Sequence, residues 1–360
     1  VTALFDLIAK RIRRRGPLSV AEYMELALGH PKYGYYRTRD PLGRAGDFIT
    51  APEISQIFGE LLGLWCADTW QRMGEPDPVL LVELGPGRGT LMKDALRAAA
   101  IRPAFRQALR VHLVETSPVL RAAQRKALGD APRWHESLET VPRGPMLVLA
   151  NEFFDALPVH QFVRTERGWR ERVVALDATG DRLVFGLAER PTKAQRHLPA
   201  RVADAPVGTE WEVSPIAHAL AVALARRAVE DGGAALVIDY GYVLGGPGET
   251  LQAVRGHRRH DPLAEPGNAD LTTHVDFAAL AEAAEAAGAA CHGPVTQRHF
   301  LRALGLDLRL AALMKTASPA QASLVESGAR RLIEPGGMGT LFKVLALADP
   351  KLSDLAGFLP

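Results

Sequence analysis

Residues 82–91 read Val-Glu-Leu-Gly-Pro-Gly-Arg-Gly-Thr-Leu, placing Gly85, Gly87 and Gly89 just behind a carboxylate at Glu83. Glycine lets the backbone turn sharply and lets a ligand approach without a Cβ in the way. The spacing departs from the GxGxxG of dinucleotide sites, whose third glycine would fall at Thr90. No Gly-Lys-Ser/Thr follows, so a P-loop is excluded too. A second carboxylate, Glu115, lies 26 residues past Gly89 at the end of an apolar run. That exceeds the ~20 residues of a Rossmann unit, and the stretch around Pro103 absorbs the excess. Carboxylates beside such a loop suit a ligand that carries a cation and a ribose rather than a pyrophosphate. S-adenosylmethionine (SAM) has an amino-acid head, a sulfonium and a ribose, both of whose hydroxyls Glu115 can accept. The expected donor-binding set is Glu83, Gly85, Gly87, Gly89, Thr90 and Glu115, with the segment 134–138, Ser137 and Leu138 above all, near the adenine.

A second constellation is Asn151-Glu152-Phe153-Phe154-Asp155-Ala156-Leu157-Pro158. It follows an apolar run, and in an open α/β sheet ligands lie outside the carboxyl ends of the strands, so it should face the methyl donor. Methyl transfer to nitrogen demands in-line alignment and a lone pair on the acceptor. A guanidinium withholds that lone pair because its pKa lies above ~12. Carboxylates can hold the cation, draw its charge away from the attacking nitrogen and take up the released proton. Glu152 and Asp155 stand three apart and could cooperate if the segment makes a helical turn. A plain structural turn with two core phenylalanines is the competing reading.

Other signals are weaker. His257-Arg258-Arg259-His260-Asp261, with His274, offers a ligand set, but the arginines would repel a cation, so the loop reads as substrate-facing or ordering and no metal is expected. Tyr240 and Tyr242 either line the acceptor pocket or pack. No GxSxG elbow is present, which weighs against an α/β-hydrolase.

The elements that must position these groups read as an α/β chain. Short apolar runs at residues 79–84, 111–115, 133–135, 146–150 and 234–239, separated by helical stretches, predict a doubly wound parallel sheet. Residues 1–45 read as an N-terminal helical segment, with Ser19 and Glu22 at capping-box spacing. Thr50 with Glu53, and Thr273 with Asp276, have the same spacing. Alternating runs near residues 159–163, 169–175, 182–186 and 210–213 predict antiparallel strands in an inserted β-rich lobe over 156–230. The methyltransferase core is then expected over 46–155 and 231–360, closing on a strand at 340–347.

The 360 residues carry Lys+Arg 43 against Asp+Glu 41, a near-balance that argues against a dedicated nucleic-acid binder. Two distant cysteines, Cys66 and Cys291, exclude a disulfide scaffold and favour a reducing compartment. No apolar run approaches the ~18 residues of a membrane span, so a cytoplasmic location without an integral membrane segment is expected.

Four segments carry a family resemblance: Gly46-Asp47-Phe48-Ile49-Thr50-Ala51-Pro52-Glu53-Ile54-Ser55, residues 82–91, residues 151–158 and residues 266–277. Together they resemble the MidA family of SAM-dependent methyltransferases, whose mitochondrial member assists assembly of respiratory complex I. The resemblance implies a Rossmann-like class I methyltransferase fold with SAM as cofactor. For the mitochondrial relative it implies symmetric dimethylation of an arginine on the quinone-site subunit of complex I. It also brings Asp47 to the site, which the capping spacing leaves unexplained. The expected catalytic set is Glu152, Asp155, Asn151 and Asp47, acting on a protein arginine, with a homo-oligomer open. A SAM-binding assembly chaperone without turnover and a small-molecule methyltransferase are the alternatives. A nicotinamide oxidoreductase is disfavoured by Thr90.

Overall fold

The computed structural model describes residues 2–43 and 46–358, so the end of the expected 1–45 segment, at residues 44 and 45, lies outside the described residues. The chain divides into two compact units.

One unit comprises Ile49–Phe154, Leu220–Leu244 and Val275–Pro360. Its sheet runs in the order Ala290–Thr296, Phe342–Ala348, Gly233–Tyr242, Met146–Asn151, Val79–Leu84, Leu109–Val114, Arg133–His135. The short strand Val275–Asp276 adds in parallel to the end of Gly233–Tyr242. Pairings are parallel from Gly233–Tyr242 through Arg133–His135, and only Phe342–Ala348 runs antiparallel to its neighbours. Every residue of Val79–Leu84, Met146–Asn151 and Phe342–Ala348 is buried. A sheet covered on both faces requires such continuous apolar runs. Helix Gln56–Arg72 supplies Ile57, Phe58, Leu61, Leu62 and Trp65 to this core. The fold is α/β with a Rossmann-like sheet.

The other unit comprises Val1–Phe48, Asp155–Ala219 and Gly245–His274. Strands His160–Thr165, Gly168–Leu176, Leu183–Leu187 and Glu210–Val213 are antiparallel, and Leu18–Ser19 pairs with Gly168–Leu176. A three-stranded sheet joins Arg258–His260, Gln252–Arg255 and Asp270–Thr272. Helices Ala3–Arg15 and Val20–Gly29 share a core with strand residues Val174 and Leu271, among them Leu4, Ile8, Tyr23 and Met24. The amino-terminal segment is therefore part of this unit rather than a segment of its own, and residues 245–274 belong here, outside the expected 156–230 boundaries.

Capping corrects two local readings and bears out a third. The Ser19–Glu22 box forms in full. Thr50 makes no side-chain cap; Ala51–Ile54 is a four-residue turn, and Ser55 caps the long helix by accepting from the Ile57 N–H. Asp276, not Thr273, caps helix Phe277–Ala286, its side chain accepting from the Ala279 N–H at 3.0 Å, while Thr273 donates its N–H to the Asp155 carbonyl at 2.9 Å. The last strand starts at Phe342, since Thr340 and Leu341 lie in the turn Met338–Leu341.

Candidate active site

In the sheet-bearing unit the glycine loop joins strand Val79–Leu84 to helix Thr90–Ala99. Gly85 and Gly87 have φ of +63° and +52°, conformations that side chains rarely adopt. A Cβ on Gly85 would also fall 2.7 Å from the Phe153 ring. Helix Thr90–Ala99 is tied back by Glu53, which accepts from the Thr90 hydroxyl and lies 3.8 Å from the Arg88 guanidinium. Glu53 thus serves the loop instead of the capping box its spacing suggests.

Two carboxylates stand beside this loop. Glu83 is 3% exposed and its Oε2 has no hydrogen-bond partner. Burial, reinforced by the charge of Glu115, pushes its carboxyl up to about 8. Glu115 accepts from the Ser117 N–H at 2.7 Å and from the Gln124 amide at 3.3 Å. Burial raises its pKa, and those hydrogen bonds oppose the rise. Ser137 precedes the turn Leu138–Thr140 without a side-chain cap, and the buried Leu138 offers its carbonyl to Arg227 at 2.9 Å.

The turn after strand Met146–Asn151 is held from several sides. Glu152 has φ of +50° and donates its N–H to the Ile238 carbonyl at 2.9 Å. Asp239, fully buried, accepts from the Phe154 N–H at 3.0 Å. Glu152 Oε1 accepts from the Ala51 N–H at 2.9 Å and from the Asn151 amide at 3.1 Å. The helical turn expected for Glu152 and Asp155 does not form. A left-handed residue at 152, pinned by Ile238, and the Phe154 N–H held by Asp239 break the helical path. Asn151 is 8% exposed, and its Oδ1 is left without a partner.

Asp155 and Asp47 belong to the other unit, where the structure gathers them near Asp270. Tyr35 donates to Asp47 Oδ2 at 2.6 Å and Tyr36 to Asp270 Oδ1 at 2.7 Å. Burial, then the charge of Asp155, pushes the Asp270 carboxyl up to about 7. Asp47 Oδ1 accepts from the Gly256 N–H at 2.6 Å, and its carbonyl accepts from His257 at 3.0 Å. The His257 loop is thus the tip of a hairpin pinned by Asp47. Among the described residues no group of three His, Cys, Asp or Glu is placed to hold a metal ion.

Sequence reasoning missed Gln124, Asp239 and Asp270 as supports. Gln124 left one readable signal: an amide at position i+4 from Leu120 on the buried face of helix Pro118–Leu128. Asp239 left only a polar residue closing an apolar run.

The residues at the loop fit SAM. Two glycines keep side chains out of the cradle, and Glu83 has a buried oxygen that a cation would satisfy. Residues 61–295 match the family described as "Putative S-adenosyl-L-methionine-dependent methyltransferase". The mitochondrial protein arginine methyltransferase NDUFAF7 of Danio rerio is 42% identical over 95% of this chain and 86% of its own length. The Homo sapiens protein of that name is 39% identical over 96% of this chain and 83% of its own. The crystal structure of a Burkholderia thailandensis protein bound to S-adenosyl-homocysteine superposes with a TM-score of 0.84 at 30% identity, covering 99% of this chain and 94% of that one. With its Rossmann-like sheet and glycine loop, the chain belongs to this family of S-adenosyl-L-methionine-dependent methyltransferases.

Proposed function

We propose that this methyltransferase modifies an arginine of a protein partner, with Asn151 and Glu152 at the acceptor. The observation that carries this reading is the buried, unpartnered Oδ1 of Asn151 on the turn after strand Met146–Asn151. Buried polar atoms are rarely left unpaired, and an acceptor N–H would satisfy this one. Glu152 holds the Asn151 amide by its NH₂ end, which leaves the carbonyl oxygen for that task. When bound, SAM supplies a methyl group on a sulfonium, an excellent leaving group. Glu83, Glu115 and the loop glycines hold the donor, with Thr90, Ser137 and Leu138 shaping its surroundings. The Glu152 carboxylate draws the guanidinium charge toward itself and takes up the proton the methylated nitrogen sheds. Asp155 stays a candidate by its place in the sequence. Asp47 enters as a positioning residue, because both its carboxylate oxygens are in use.

The substrate class is supported by the names of the relatives, which are protein arginine methyltransferases. Within it, the quinone-site subunit of a complex I type enzyme is the specific candidate. A cytoplasmic location is supported by the two free cysteines, although the named relatives are mitochondrial; cell fractionation checks it. Among the described residues no helix is long and apolar enough to cross a membrane.

One observation favours the alternative of a SAM-binding assembly factor without turnover: Glu152 Oε1 is employed in holding the Ala51 N–H. Glu152→Gln separates the readings, since it keeps an oxygen for Ala51 and removes the charge. We expect single-turnover transfer to the partner to fall ~10²–10⁴-fold with SAM affinity nearly unchanged. Wild-type transfer by folded, SAM-saturated Glu152→Gln would remove Glu152 from catalysis. Absence of any transfer by the wild-type protein to candidate partners would favour the assembly factor.

A further inference from the structure

We infer that Gln124 is a positioning residue for the methyl donor, locking three separate segments into one binding surface through a single buried amide. The inference rests on the reading that the glycine loop and Glu115 hold the donor. Gln124 is 0% exposed on helix Pro118–Leu128. Its Nε2 donates to the Gly87 carbonyl at 2.7 Å and to Glu115 Oε2 at 3.3 Å. Its Oε1 accepts from the Trp134 indole N–H at 2.8 Å. The orientation of the amide is fixed by chemistry. An indole N–H only donates and a carbonyl only accepts, so the oxygen must face Trp134 and the nitrogen Gly87.

Each bond restrains a different freedom. With its carbonyl held, the peptide after the left-handed Gly87 cannot rotate, which sets the open face of the loop. The bond to Glu115, with that from the Ser117 N–H, fixes the carboxylate assigned to the ribose hydroxyls. Trp134 is gripped at its indole nitrogen and covered by the Arg125 guanidinium, 4.7 Å from the ring. A packing residue would need none of this polarity, and Leu120 covers the same helix face without it.

The same amide makes the test specific, because its roles as donor and acceptor can be separated. Calorimetry with S-adenosylhomocysteine compares wild type, Gln124→Glu, Gln124→Leu and Glu115→Ala, each checked for folding by circular dichroism. At pH 9.5, where even a buried glutamate beside Glu115 is ionised, a carboxylate at 124 cannot donate to Gly87 and repels Glu115, so Gln124→Glu should bind ~10- to 100-fold more weakly relative to wild type, and Gln124→Leu should lose a similar factor. At pH 5.5 protonation returns a donor to position 124. Gln124→Glu should then regain at least half of its lost binding free energy relative to wild type, and Gln124→Leu should regain none. Affinity within twofold of wild type in both Gln124 variants would overturn the inference. So would equal losses in both at both pH values, which would reduce Gln124 to packing. If Gln124→Leu does not fold, the pH-dependent recovery of Gln124→Glu alone decides. Unchanged binding by Glu115→Ala would instead refute the donor-site reading itself.

Discussion

Glu83 shows how burial makes the charge of a carboxyl depend on pH near neutrality. Its folded pKa, pushed up to about 8, stands above the ordinary 4.5 because burial penalises the charge and Glu115 adds repulsion. The folded protein therefore keeps a proton that the unfolded chain sheds. The stability this contributes is complete below pH 4.5 and is lost as pH rises through about 8. Asp270, pushed up to about 7, acts with the same sign in the other unit. We expect the melting temperature of the ligand-free protein to fall by several degrees from pH 5 to pH 8. Glu83→Gln, which cannot ionise, should flatten much of that slope in a calorimetric series. A cation at the loop favours the ionised carboxylate, so SAM affinity should rise with pH up to about 8 in wild type and less in Glu83→Gln.

The loop and the turn that carry the site are set by backbone conformations their neighbours enforce. Gly87 at φ +52° has its carbonyl fastened to a buried glutamine, so the loop is held from outside as well as permitted from within. Gly87→Val should leave most of the sheet intact, because the strand before it and the helix after it keep their own hydrogen bonds. The branched side chain would strain the turn and occupy the space a donor needs. Thermal denaturation checks this: melting lowered by a few degrees but still cooperative, with the stabilisation by SAM abolished. The turn at Glu152 obeys the same logic with a non-glycine residue. Its left-handed backbone costs of order 1 kcal/mol or more, and the bonds to Ile238, Ala51 and Asn151 hold it there.

Among the described residues one core lies under the Rossmann-like sheet, another joins the amino-terminal helices to antiparallel strands, and a smaller cluster gathers Phe162, Trp169 and Trp211. Asp47 belongs to the second unit, bonding Tyr35 and the Gly256 N–H. Capping spacing gives Asp47 no structural duty; the structure gives it one. Tyr35 is fully buried, and an orphaned buried hydroxyl costs ~1–3 kcal/mol. Trp169 and Trp211 lie in a smaller apolar cluster of the same unit, so their fluorescence during urea unfolding should report a lower midpoint in Asp47→Ala, with partial recovery in Asp47→Asn. Methyl transfer that falls only in proportion to folded protein would confirm a supporting role.

The sequence alone determined the apolar runs that become the parallel strands, the glycine loop with its two carboxylates and the family to which the chain belongs. These features are local: a buried strand is written in six consecutive residues, and a glycine turn in five. Tertiary structure alone decided which partner each polar group takes. Glu152 and Ala51 stand 101 positions apart, Phe154 and Asp239 85, and Gln124 and Gly87 37. Capping spacing paired Thr50 with Glu53, yet Glu53 turns to Thr90. Spacing likewise suggested a helical turn for Glu152 and Asp155, until the strand carrying Ile238 and Asp239 imposed another path. Local pattern fixes where hydrogen-bonding groups sit along the chain. Which of them meet depends on how strands and helices distant in sequence pack, and burial then penalises every polar atom that fails to find a partner.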